Sequence, residues 1–277
     1  MTAALVVFRH IIVGLAAAAA ICVPIWAMTS ALGGRFGFWE PLEGFRHVLT
    51  YAGLPGFGRG FLLPATLGLG VVALAFVIIQ RVVQGAKNSA GPGGYVAGVM
   101  AILVGGAPMA MIVLNAGQTA SIPPIHDITT DTQNPPQFTA GMIERRGSES
   151  NSVVYEEKID PRSERSLPIV QAEAYPEIES LVVSADPNTV YRAALDVGRD
   201  MGWMIATASE TELSFEATDT TFWFGFKDDV VVRLSETAEN GTRVDVRSVS
   251  RVGMSDLGAN AARIEAFLAD LEAALAG

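Results

Sequence analysis

Three runs without a charged side chain dominate the first part of the chain: residues 11–28, 60–79 and 91–114. A helix needs about 20 apolar residues to cross about 30 Å of hydrocarbon, and each run is close to that length. Backbone amides in lipid must find partners within their own segment, so helix is the expected form. Ala16 to Ala20, Gly68, Gly70, Gly105 and Gly106 suit close approach between such helices. Pro24 and Pro108 fall inside the runs and are tolerated there as kinks. A cleaved signal peptide is the competing reading of the first run, with Arg9 before it and small residues after Trp26, but the run is longer than a typical signal core. Three membrane spans are expected, making the lipid bilayer the first partner. The spans contain no Asp, Glu, Lys or internal His, whereas pumps and transporters place ionisable groups within the membrane. Anchoring or packing is therefore the expected role of residues 1–120, and a substrate gate is disfavoured.

Charge divides the 277-residue chain. Residues 1–120 carry 6 Lys+Arg against 2 Asp+Glu, and residues 121–277 carry 13 against 27. An acidic domain repels phosphate backbones, so nucleic acid is not an expected partner. The one cysteine, Cys22, lies in the first apolar run, which excludes an intrachain disulfide and a cysteine nucleophile in the polar part. Between the first two spans, residues 33–59 hold Phe36, Phe38, Trp39, Phe45 and Tyr51, as expected of a loop or short helix at headgroup level. The short-loop count of Arg9, Arg81 and Lys87 against Arg35, Arg46 and Arg59 is a tie, so the positive-inside rule does not orient the chain. An odd number of spans places the two termini on opposite sides.

The second expected domain is 121–277. Its first part, 121–177, opens with four prolines between 123 and 136, lacks helical periodicity, and is expected to be an extended strap on the domain that follows. Residues 178–183 read as a strand, and Asp186–Pro187 as an N-cap with proline at the first helical position. Residues 203–208 and 212–218 read as a hairpin, followed by alternation at Phe222, Phe224 and Phe226. Val230, Val232 and Leu234 share one side of a strand, Asn240–Gly241 marks a turn, and Val244 and Val246 return on the matching side. Leu257, Ala261, Ile264, Leu268, Leu271 and Leu275 form one helical stripe, capped by Ser255 or Asp256. The expected fold is α+β: three transmembrane helices, then β-α-β-β-β-β-α with two helices packed on one face of an antiparallel sheet.

Opposite the valines of the last two strands stand Arg243, Asp245 and Arg247, facing Asp229, Arg233 and Glu216. Arg251, Ser255, Asp256, Asn260 and Arg263 continue the polar group around the turn. Arg233, Arg247, Arg251, Ser255, Asp256, Asn260 and Arg263 are the candidate ligand-binding residues, for an anion or a lipid headgroup. A cross-strand ladder of paired charges with a helix cap is the competing reading, and the alternation of acids with bases favours it. His126 followed by Asp127 is the candidate catalytic pair of a hydrolase, although sequence neighbours need not face each other in space. Asp228–Asp229 is expected in a turn rather than at a metal, and the aromatics 222–226 in the core with Trp223 on the other side. No nucleotide or dinucleotide loop is present, and no cofactor or metal is expected.

Five stretches, IHDITTDTQNPPQF, AYPEIESL, MGWMI, EATDTTFWFGFKDDVVVRL and VDVRSVSRVGMSDLGANAARI, together resemble domain-of-unknown-function family 1499 across about residues 121–275. The resemblance implies that strap and domain form one unit. It also implies a bacterial envelope setting: a multi-pass inner-membrane protein with the second domain on the periplasmic side. That family carries no established activity, so no catalytic residue transfers. The expected function is a non-enzymatic binding or structural role, with a lipid, small ligand or membrane protein as partner, and an envelope hydrolase is the alternative.

Overall fold

The computed structural model describes residues 3–53, 60–85 and 91–276. Residues 54–59, which end the expected interfacial loop and include Arg59, and Lys87 lie outside the described residues. The chain divides into two compact units at residue 118.

The first unit contains α1 (Ala3–Arg35), α2 (Pro41–Ala52), α3 (Leu62–Gln84) and most of α4 (Pro92–Ser121). Three of these helices, α1, α3 and α4, are long and apolar enough to cross a membrane. At 33 residues α1 is about 50 Å long, so it exceeds the hydrocarbon thickness. Ala16, Ala73 and Ala101 from α1, α3 and α4 are fully buried against one another. At Gly105 an added Cβ would meet the Leu67 nitrogen at 2.4 Å, so the α3 and α4 backbones touch there. Gly68, expected at such a contact, faces open space. Among its described residues the aromatic stretch between the spans is largely helical. The Trp39 indole in it turns back and donates to the Ser30 carbonyl at 3.0 Å.

The second unit is a six-stranded antiparallel sheet with helices: β1 (Asp127–Thr129), α5 (Ala140–Arg146), α6 (Leu167–Ala174), β2 (Leu181–Val183), α7 (Pro187–Asp200), β3 (Met204–Ser209), β4 (Ser214–Thr220), β5 (Lys227–Glu236), β6 (Thr242–Ser250) and α8 (Ala259–Ala276). The tip of the β4–β5 turn, residues 223–225, counts with the first unit. The expected seven elements are present in order, and the strap adds β1, α5 and α6. The sheet runs β1-β6-β5-β4-β3, and β1 and β2 lie end to end along the same side of β6, against Arg247 to Val249 and Thr242 to Val244.

One sheet face carries Phe215, Ala217, Val230, Val232, Val244 and Val246, and it buries the apolar stripes of α7 (Val190, Ala194, Val197) and α8 (Ala261, Ile264, Phe267, Leu271). Trp203 stacks on Phe267 with centroids 5.0 Å apart. The α7 start is as expected: Asp186 caps it by accepting from the Thr189 amide at 3.0 Å. The opposite face is covered by the strap, through Phe138 and Met142 against Val231 and Val249. The outer side of β1 is closed by the Gln171 side chain of α6. Its amide donates to the Thr129 carbonyl (2.6 Å) and accepts from the Thr129 amide (3.1 Å), an imitation of a neighbouring strand.

Four expectations are corrected. The strap is not extended throughout, since it contains the helices α5 and α6. Residues 222–225 form the turn between β4 and β5, with Phe224 and Gly225 at positive φ, so Phe222 is exposed rather than core, and Trp223, expected on the other side, is exposed as well. Leu257 leaves the helical stripe: it sits at φ 55° before α8 and is exposed. Asp228–Asp229 lies inside β5, not in a turn.

If the strap is part of the core, Ile128→Ala should cost about 2–5 kcal/mol, whereas Ile143→Ala at an exposed strap position should stay within about 0.5 kcal/mol. Urea unfolding of the second unit in the full chain, held in mild detergent, measures both.

Candidate functional site

Strand alternation places Asp229, Val231 and Arg233 of β5 and Arg243, Asp245, Arg247 and Val249 of β6 on the strap face. Arg247 is fully buried. Its guanidinium grips Asp127 of β1 with two parallel bonds of 2.9 Å, and donates to the Pro136 carbonyl (3.1 Å) and the Val153 carbonyl (2.6 Å). Phe138 and Tyr155 present their rings to it at 5.6 and 5.4 Å. Lys158 adds a second cation to Asp127 at 2.5 Å. Burial opposes ionisation of Asp127, but the hydrogen bonds and charge of Arg247 and Lys158 outweigh it and hold the carboxyl below its ordinary value of 3.8.

The same arrangement recurs twice. Asp229 takes Arg146 of α5 at 2.6 Å and Arg251 in a fork of two 2.8 Å bonds. Asp245 takes Arg233 at 2.8 Å and Arg243 at 3.0 Å, with Ser180 at 2.5 Å. Burial also opposes ionisation there, and these donors again carry the Asp245 pKa below the usual range. Glu216 is held by the Thr139 amide and hydroxyl at 2.6 and 2.7 Å. Each of the three aspartates thus lies between two cations. Of these groups Asp127, Arg146 and Lys158 belong to the strap, as does Asp131, which bonds Arg243 at 2.8 Å and lies 3.6 Å from Arg233.

Arg263 stands apart from this group. It projects from α8 to the helix-covered face, where it bonds Asp228 (2.6 Å), Asp219 (2.8 Å), Ser248 (3.0 Å) and the side-chain amide oxygen of Asn260 (2.6 Å). Asn260 in turn donates to Ser250 at 2.9 Å and to the His126 carbonyl at 3.2 Å. The expected continuous polar group from Arg247 to Arg263 is therefore split by the sheet. Arg233, Arg247 and Arg251 lie on one side, and Asn260 and Arg263 on the other. Asp256 caps α8, accepting from the amides of Gly258 (2.8 Å) and Asn260 (2.9 Å), and burial holds its carboxyl above the usual range. Ser255 accepts from the Leu257 amide at 3.2 Å. The helix start that could receive an anion is filled by the chain's own carboxylate.

His126 and Asp127 do not form a dyad. The Asp127 carboxylate is taken by Arg247 and Lys158, while His126 Nδ1 lies 3.2 Å from the Met254 carbonyl. His126 lines a cleft of about 240 Å³ with Lys158. Its Nε2 is one of three buried side-chain polar atoms without a hydrogen-bond partner among the described residues. Among the described residues, no three His, Cys, Asp or Glu side chains converge as a metal site would require. Arg146, Lys158 and Thr139 were outside the expected site because a proline-rich segment has no period that assigns a face. Sequence separations of 83 for Arg146–Asp229 and 120 for Asp127–Arg247 leave no local signal.

Breaking a buried pair strands a charge, so Arg247→Met should destabilise the domain by about 3–5 kcal/mol. The double variant Asp127→Leu/Arg247→Met should be milder than the sum of the single changes by about 1 kcal/mol or more. Because the folded pKa values of Asp127 and Asp245 are depressed, the stability they confer is present above 3.8 and is lost as pH falls through the folded values. Acid titration of urea unfolding should show a loss below the usual carboxylate range that is shallower in Asp127→Asn.

No curated protein matches the chain. Residues 127–271, from the first residue of β1 to Leu271 of α8, match the family described as a protein of unknown function, DUF1499. The match spans more than half of the chain and contains every partner in the three double-cation aspartate sites, and the chain belongs to that family.

Proposed function

We propose that the protein is a non-enzymatic component of the bacterial cell envelope: three helices hold it in the inner membrane, and its second unit lies on the periplasmic side, where it binds a ligand or partner without transforming it. The observation that carries this reading is the internal use of the domain's reactive groups. All of the candidate guanidiniums, Arg233, Arg247, Arg251 and Arg263, are bonded to carboxylates of the chain itself. Among the described residues no carboxylate bonds the ring of the candidate base His126, because the oxygens of Asp127 are held elsewhere. Acid–base catalysis needs a positioned group within reach of substrate and an oriented partner, and the charge clusters serve packing instead. Truncating Arg247 or Arg263 is then a folding lesion rather than loss of an anion site.

Purification of the full chain in mild detergent with native mass measurement tests the binding role. A co-purifying lipid, small molecule or protein is expected. Hydrolytic turnover of ester or amide substrates that His126→Ala abolishes without loss of folded protein would contradict it. Topology is tested by placing a single thiol at Glu239, an exposed residue of the β5–β6 turn, in a Cys22→Ser background. A membrane-impermeant maleimide should label Glu239→Cys in cells whose outer membrane alone is permeabilised. Labelling only after the inner membrane is broken would place the domain in the cytoplasm.

A further inference from the structure

The cleft beside His126 has a defined chemistry. Pro124, Ile125, Ile159, Pro161, Leu167 and Met254 give it apolar walls, and His126 and Lys158 are its polar residues. The Met254 carbonyl can only accept, so the 3.2 Å contact puts the ring proton on Nδ1. Burial, reinforced by the Lys158 charge, lowers the His126 pKa and keeps the ring neutral near pH 7. Nε2 then carries a lone pair, buried and without a partner among the described residues. An unsatisfied buried acceptor is destabilising, and a ligand that donates a hydrogen bond removes that cost.

The surroundings narrow the donor. The Lys158 ammonium disfavours a second cation, and it is already bonded to Asp127. A carboxylate or other fully deprotonated anion has no proton to give Nε2. A neutral hydroxyl on an apolar body satisfies both the acceptor and the walls. The cleft is smaller than the roughly 300 Å³ at which drug-sized sites begin, so it suits one end of a slender molecule. In sequence, Pro124 follows the end of α4 by three residues, so the cleft-lining segment is tethered directly to a membrane-crossing helix. A lipid-derived ligand is the source to which this placement points.

We propose that this cleft binds the hydroxyl-bearing head of a neutral single-chain lipid, with the hydroxyl donating to His126 Nε2 and the adjoining methylenes lying on Ile125, Ile159 and Met254. The proposal rests on the binding reading above and names its ligand class. It is tested on the full chain in phosphatidylcholine nanodiscs, using a photoactivatable monoacylglycerol and mass mapping of the labelled peptides. Labelling is expected at Ile125, Ile159 or Met254. It should be about threefold to tenfold weaker for a probe with its hydroxyls methylated, the effect of one neutral hydrogen bond. His126→Phe, which keeps an aromatic ring but removes the acceptor, should weaken labelling to a similar degree. Ile159→Asp alters an exposed wall residue, so it should lower labelling while leaving the fold intact. Equal labelling by the methylated probe, stronger labelling by a photoactivatable fatty acid, displacement by free glycerol alone, or no label in the cleft would each overturn the proposal. If the cleft stays unlabelled while another ligand co-purifies, this proposal fails and the binding reading stands.

Discussion

The buried fork between Arg247 and Asp127 joins the last strand of the second unit to the start of the strap, 120 residues away in sequence. Arg247 sits in the central region of the sheet, and Asp127 opens the strap. Removing two such ions from water costs several kcal/mol each, and the attraction offsets that only when geometry and hydrogen bonding are nearly complete. Here they are, with four donor bonds from the guanidinium and two aromatic rings around it. Such a pair selects one strap register more than it adds net stability, because any slip of β1 by one residue would turn Asp127 to the wrong face.

The repetition of two cations around one aspartate extends this logic over the strap face. Asp229 ties α5 to β5 through Arg146, and Asp245 joins the neighbouring strand ends. A sheet face that would otherwise present alternating charges to solvent becomes an internal layer, with Phe138 and Met142 filling the space between ion pairs. The domain consequently has three layers: two helices, the sheet and the strap. Its overall acidity resides elsewhere, and the cleft at His126 is bordered by the strap's beginning and the turn after β6.

Much of this was legible from residue order. Val230, Val232, Val244 and Val246 assign the buried face of the hairpin, and the arginines and aspartates between them assign the other. Asp186–Pro187 marks the α7 start, and the stripe from Ala261 to Leu271 fixes the α8 face. The strap's structure was not legible, because prolines and scattered polar residues carry no period, and β1 exists only through pairing with β6. Asp228–Asp229 was misread for a related reason. Two adjacent acids favour a turn unless cations meet them on both faces, and those cations, Arg263 on one side and Arg146 with Arg251 on the other, come from distant segments. The cleft was equally hidden, since His126, Ile159 and Met254 meet only in the folded chain.

The strap is a structural layer of the domain, locked by its own charges. Hydrogen–deuterium exchange of the full chain in nanodiscs addresses this directly. The Thr129, Thr130 and Ser250 amides bond to Gln171, Val246 and His126, respectively, and should exchange as slowly as the centre of the β5–β6 ladder. Rapid exchange at Thr129 and Thr130 beside a protected β5–β6 hairpin would contradict the account.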